Sequence, residues 1–375
     1  MSFLTVLKKE LLAIPGWRTS RKIVVIESDD WGSIRMPSQE AFDLLSAKGI
    51  DLTTGDSKRY NLYDTLASAA DLDSLFSVLK RFKDKNGNHP VITALSLVAN
   101  PDFDKIRENH FQQYYYESVV ETLKRYYPQQ DVFTYWRQGI SEKLFMPQFH
   151  GREHLNVAAW MHALQRNDSS TKAAFDQGIW GFNNALPLEV SYQAAFDLES
   201  LDDLKQHEEI IQDGLSMFEK LFGYKATFFV APNGILHEQL YPATRRMGID
   251  FLYSAKLHPV PVRPGKFKKR FNYLGKKSVA DQRFITRNAF FEPSQYNLNC
   301  VQQCLNEIEL AFRFKKPSII SSHRVNYIGQ HVVKNREHGL RQLELLLTSI
   351  MSRWPDVEFM SSDALGRLMQ TTHAN

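Results

Sequence analysis

The sequence predicts an α/β fold in which a mostly parallel sheet, closed into a barrel, is covered by helices. Short apolar runs rich in Val, Ile and Phe alternate with amphipathic segments along nearly the whole chain. Seven to nine such units can be counted, which favours a barrel over an open sheet. Several apolar runs end in acids or histidines, and a parallel α/β barrel gathers its chemistry at the C-terminal ends of its strands.

Strands are expected at 23–27, 91–98, 144–149, 179–182, 226–230, 251–254, 284–289, 318–322 and 357–360. Helices are expected at 38–48, 73–82, 156–165, 202–222, 237–247, 299–314 and 336–353. In the 202–222 segment, Leu204, Ile211, Leu215, Phe218 and Phe222 recur at helical spacing and Gly223 stands as the stop. Residues 1–21 suit a short amphipathic helix packed on the main domain, and 22–375 read as a single domain.

The 375 residues are 43% hydrophobic and 23% charged, as in a soluble globular protein, and the net charge of +4 does not argue for nucleic acid. No apolar stretch is long enough to span a membrane. Lys8, Lys9 and Glu10 interrupt the N-terminal apolar residues, which does not suit a secretory signal, so a cytoplasmic protein is expected. Cys300 and Cys304 read as core residues in a reducing compartment. The basic, aromatic stretch 263–277 reads as a solvated loop, with a patch for an anionic glycan or phosphate-linked carrier as its functional alternative.

Four segments carry chemistry. In the first, Ile23-Val24-Val25-Ile26 leads to Glu27-Ser28-Asp29-Asp30-Trp31. Two adjacent acids at a strand end repel each other unless a cation sits there or one of them serves as a base. In the second, His150 and His154 flank a strand-to-helix junction with Asn156 as N-cap, and two imidazoles at this spacing can converge on one ion. In the third, the run 318–322 delivers His323, and in the fourth Pro232-Asn233-Gly234 makes a tight turn after 226–230.

Together these segments resemble the polysaccharide deacetylases of the NodB-homology type, carbohydrate esterase family 4. The resemblance implies a distorted (β/α) barrel, and the gap between the first strand and the HxxxH pair, longer here than is usual in that family, reads as a long insertion around 60–143. It implies Asp29 as base, Asp30, His150 and His154 as ligands of one divalent ion, zinc first, and His323 as general acid. Its implied activity is removal of acetyl groups from an N- or O-acetylated sugar or polysaccharide precursor, including anionic ones. Trp31, Arg152, Asn233, Arg287 and Arg324 are the substrate-side candidates. Two departures stand out. Val230 falls where the family places an arginine that contacts the base, leaving Arg152, Arg287 or Arg324 to substitute, and Gly151 follows the first histidine in place of Ser or Thr. A glycoside hydrolase using Asp29 or Glu27, or a carbohydrate-binding protein with a degenerate site, are the alternatives.

Overall fold

The computed structural model describes residues 10–55, 57–182, 190–263, 265–296 and 299–372. Nine parallel strands form the main sheet: β1 Ile23–Trp31, β2 Ile92–Leu97, β3 Phe145–Gly151, β4 Phe228–Phe229, β5 Phe251–Tyr253, β6 Arg283–Ile285, β7 Ala289–Phe290, β8 Ser318–His323 and β9 Glu358–Phe359. They run in the order β6-β5-β4-β3-β2-β1-β8-β7, with β9 beside the start of β1. Strands β6 and β7 lie at opposite ends of this order but are consecutive in the chain. The curled sheet is therefore closed by the covalent link 286–288 rather than by strand pairing, which makes it a distorted (β/α) barrel.

Alternation along β1 builds the two sides of the sheet. Val24 and Ile26 pack outward against the helices. Ile23 and Val25 point inward and join Leu95, Phe228, Phe251, Ile285 and Ile319 in a second apolar core. Trp17 and the C-terminal helix Ser362–Thr371, through Leu365 and Met369, plug that core from below. Continuing the same parity, Glu27 and Asp29 face the interior one and two layers higher, where the filling turns from apolar to charged.

Most expected helices form close to their expected bounds. Ser38 caps Gln39–Ala47, Asn156 caps Val157–Gln165, and Gly223 ends Asp203–Phe222 at φ 77°. The 237–247 segment splits into a 3₁₀ turn, Glu238–Leu240, and the helix Tyr241–Arg246. Residues 179–182 are not a strand: Trp180 is buried and its indole N–H reaches the Ile34 carbonyl at 3.0 Å, so the apolar run packs as irregular chain. Within 1–21, residues 1–9 lie outside the described residues, 10–13 are helical and 14–21 are not. The 60–143 segment contains β2, a strand of the barrel itself. It also contains a small antiparallel pair, Ala99–Pro101 with Tyr116–Ser118. Part of the basic stretch lies in a hairpin, Leu257–Arg263 with Lys266–Phe271, whose second strand is exposed throughout. Both cysteines are buried and unbridged. Among the described residues no helix is long and apolar enough to cross a membrane.

Gly339, inside the helix Val333–Arg353, leaves less room for a side chain than any other glycine among the described residues. A Cβ there would collide with the Asn326 carbonyl oxygen, a backbone atom that cannot rotate away. Gly339→Ala should destabilise the protein by about 3 kcal/mol or more, beyond a simple overpacking penalty; the midpoint of denaturant unfolding against wild type measures it. An unchanged midpoint would mean the helix can slide off Asn326 at no cost.

Candidate active site

The C-terminal ends of β1, β3 and β8, with the turns after β4 and β5, surround a cleft of roughly 610 Å³. Adjacent residues of a regular strand point to opposite faces, so Asp29 and Asp30 could not share it in an undistorted β1. The register of β1 on β2 shifts between Ser28 and Trp31, and Asp30 adopts φ 74°. This bulge turns Asp30 back into the cleft beside its neighbour.

Asp30 meets both histidines. Its Oδ1 lies 3.5 Å from His150 Nε2 and 3.2 Å from His154 Nε2, and the three side chains are almost fully buried. One ligand atom from each falls within 4.8 Å of the others, an arrangement that could hold a metal ion. The donor chemistry fits such an ion. His150 Nδ1–H donates to the Val230 carbonyl at 2.7 Å, which fixes the tautomer with a bare Nε2 lone pair facing Asp30. That buried Nε2 makes no hydrogen bond. Burial first, then the nearby Arg35 charge, pulls His154 down to about 4, so it is neutral, as a ligand must be. Burial disfavours the charge on Asp30, but the Arg35 guanidinium, first among the groups opposing it, helps hold the carboxyl well below its usual range.

Asp29 sits opposite His323 in the β1–β8 register. Both of its oxygens accept from Arg287, Oδ2 from Nη1 at 2.8 Å and Oδ1 from Nη2 at 2.6 Å. Arg287 Nε reaches Glu27 at 2.6 Å, and the guanidinium lies over the Tyr253 ring. Burial works against ionised Asp29, yet the bidentate Arg287 wins and the Asp29 pKa is lowered. Arg287 comes from the link that closes the barrel, and it provides the guanidinium that Val230 cannot; Val230 instead orients His150 through its backbone carbonyl.

His323 Nδ1–H donates to Glu292 at 2.6 Å, and its Nε2 lies 3.8 Å from Asp29 Oδ2. Burial opposes the imidazolium, but Glu292 more than compensates and pushes His323 up to about 9. Glu292 is itself held by Arg59 and by Asn326 Nδ2 at 2.9 Å.

The remaining candidates divide. Asn233 lines the cleft at φ 54° in its turn. Trp31 does not line it: it is buried edge-on to Phe145, with its N–H on Ser28. Arg152 pairs with Glu153 and Asp213 under the Tyr116 ring, and Arg324 is fully buried on Asp64 and the Ser33 carbonyl. Sequence reasoning missed Glu292, Arg35 and Tyr60. Glu292 could have been sought as an acid just past the end of an apolar run, and Arg35 as a cation a few residues after the Asp doublet.

No family model matches the chain, and no curated protein is similar to it in sequence. Solved structures are similar in fold. The 4-α-glucanotransferase of Thermococcus litoralis superposes at a TM-score of 0.50 with 9% identity over 94% of this chain, which spans only 40% of that enzyme's length. The Puue allantoinase gives 0.47 with 9% identity, covering 96% of this chain and 94% of its own. A Mycobacterium smegmatis protein assigned by name to the polysaccharide deacetylases gives 0.46 with 10% identity, covering 95% and 93%.

Proposed function

We propose that the protein is a metal-dependent hydrolase that removes acetyl groups from an N- or O-acetylated sugar. The observation that carries this reading is the meeting of three separately held units in one cleft: Asp30 with His150 and His154, Asp29 clamped by Arg287, and His323 backed by Glu292. The proposed ligands are Asp30, His150 and His154, and a mixed imidazole and carboxylate set suits zinc first. When bound, the ion supplies Lewis-acid polarisation of the acetyl carbonyl.

The chain's own residues then do the proton work. Asp29, ionised, accepts a proton from the water that attacks the carbonyl carbon. His323, protonated at neutral pH, gives its Nε2 proton to the sugar nitrogen or oxygen as the bond to the acyl carbon breaks, so acetate and the free amine or hydroxyl leave. Thr54, Ser57, Gln193 and Asn233 line the cleft with hydroxyl and amide groups, and Tyr60 and Tyr253 add rings, which suits a sugar. The glycoside-hydrolase alternative leaves the convergence of Asp30, His150 and His154 without a role, and Glu27, fully buried, does not line the cleft.

The test pairs metal content with acetate release over a panel of acetylated sugar nucleotides and oligosaccharides. Wild type should hold one divalent ion per chain and release acetate from some member, and His150→Ala should lose both. A metal-free wild type after metal-replete expression would sink the reading.

Glu292→Gln gives a second test, as a positioning residue acting through His323. The proton on wild-type His323 is held until pH passes about 9, so the alkaline limb of kcat should lie there. The Gln variant should move that limb down by more than one pH unit (roughly). The same linkage acts on stability. The dyad's contribution is full below the ordinary imidazole value of 6.5 and disappears as pH climbs through about 9. An unmoved alkaline limb would show that Glu292 does not tune the acid.

A further inference from the structure

We infer that the protein carries a second binding site, for a small amphipathic anion, in a cavity that shares Tyr253 and Arg287 with the reaction cleft. The cavity holds about 270 Å³, just under the ~300 Å³ at which pockets for drug-sized ligands begin, so a small ligand suits it. Leu12, Leu274, Phe290 and Leu310 make most of its wall apolar, and Lys256 and Lys316 bring two ammonium groups to it.

The two lysines are not equivalent. Lys316 Nζ donates to the carbonyls of Gly16 and Trp17, so its protons have partners, although no carboxylate neutralises it through these bonds. The Lys256 ammonium makes no hydrogen bond or salt bridge among the described residues, although the side chain is half-buried. Burial lowers the pKa of Lys256, and burial together with the charges of Arg18 and Lys256 brings Lys316 down to about 8. Glu307 also lines the cavity and accepts the Phe290 N–H at 3.0 Å.

A partly desolvated ammonium without a counter-charge is costly, and an anion beside it removes that cost. A purely polar anion would leave the apolar wall against water, whereas an alkyl carboxylate or alkyl phosphate satisfies both parts. The shared wall gives the site its interest. A ligand here touches the residue that clamps Asp29, so its occupancy can bias the reaction cleft without entering it.

Octanoate is the probe, titrated calorimetrically into the full chain, with octanol and inorganic phosphate as controls. One saturable site is expected, with each control roughly tenfold weaker or more, since each lacks one half of the complementarity. Lys256→Met should weaken octanoate by a similar factor while raising the Tm of the ligand-free protein. Leu310→Trp keeps both lysines and fills the cavity, so it should abolish binding and decides the matter if Lys256→Met does not fold. Absence of saturable octanoate binding to wild type overturns the inference. So does phosphate binding as tightly as octanoate, or an affinity that survives Leu310→Trp.

Discussion

Asp29→Asn is expected to leave a folded protein that retains its divalent ion and has lost turnover by about 10²–10⁴-fold, the usual worth of a positioned acid or base. The reasoning starts from Arg287. Its guanidinium offers two parallel N–H groups to Asp29 and a third to Glu27. An amide at position 29 can accept one of the two bonds but presents its own NH₂ to the other, so the clamp loosens and Glu27 is left to neutralise Arg287. Some loss of Tm should therefore accompany the loss of turnover. Asp30→Asn separates the roles, because Asp30 sits between His150 and His154, and weakening it should release the ion. Acetate release per folded molecule and metal stoichiometry, measured on both variants, check this. If Asp29→Asn keeps its turnover, Asp29 is not the base; if it loses the ion while Asp30→Asn keeps it, the two acids have been assigned the wrong way round.

How far these roles could be read from sequence depends on what each residue's position requires. A run of β-branched residues ending in acids announces a strand end, and strand ends of parallel barrels meet at one mouth, so Asp29, Asp30, His150, His154 and His323 were legible as a group. The way the two aspartates share that mouth was not. Simple alternation sends neighbours to opposite faces, and only the bulge at φ 74° brings Asp30 round, a conformation Asp tolerates but does not announce. Choosing the right arginine was equally out of reach. Arg152 and Arg324 stand beside the histidines in sequence, yet each is claimed by acids from distant or neighbouring segments, Asp213 and Glu153 for one and Asp64 for the other. Arg287 wins because β6 and β7 are the two edges of the sheet and the short link between them bridges those edges, bringing Arg287 onto Asp29. That fact belongs to strand order, which no local pattern encodes. Residues 179–182 failed for a related reason. An apolar run of strand length can be any buried chain, and here its tryptophan stacks on His154 at 5.8 Å between ring centres instead of joining the sheet.

Arg287→Met should do more damage to stability than any substitution at the metal ligands. It removes the cation that Glu27 and Asp29 share, in a layer where Glu27 is fully buried and Asp29 nearly so. Breaking a buried pair by deleting one partner costs about 3–5 kcal/mol, because the stranded charge has no water to replace what it lost. The variant can limit that cost by taking up protons, and this gives the prediction its sign. In wild type, Arg287 holds the Asp29 pKa below its usual value, so this pair contributes stability that is present at neutral pH and lost as pH falls through the folded pKa. In the variant, burial acts on Asp29 unopposed by Arg287, and Glu27, whose pKa burial already raises, loses the same opposing charge. Both carboxyls then bind protons more tightly when folded than when unfolded, so the variant should gain stability, relative to wild type, as pH is lowered from 8 towards 5. Turnover should follow from the same shift, since a protonated Asp29 cannot accept the water's proton and the acid limb of kcat moves upward. Denaturant unfolding at several pH values, with Glu27→Gln/Arg287→Met alongside, checks the chain of cause. The double variant removes one of the two stranded charges and should recover part of the loss at neutral pH. A stability deficit independent of pH, and untouched by Glu27→Gln, would mean that Arg287 acts through packing on Tyr253 rather than through its charge.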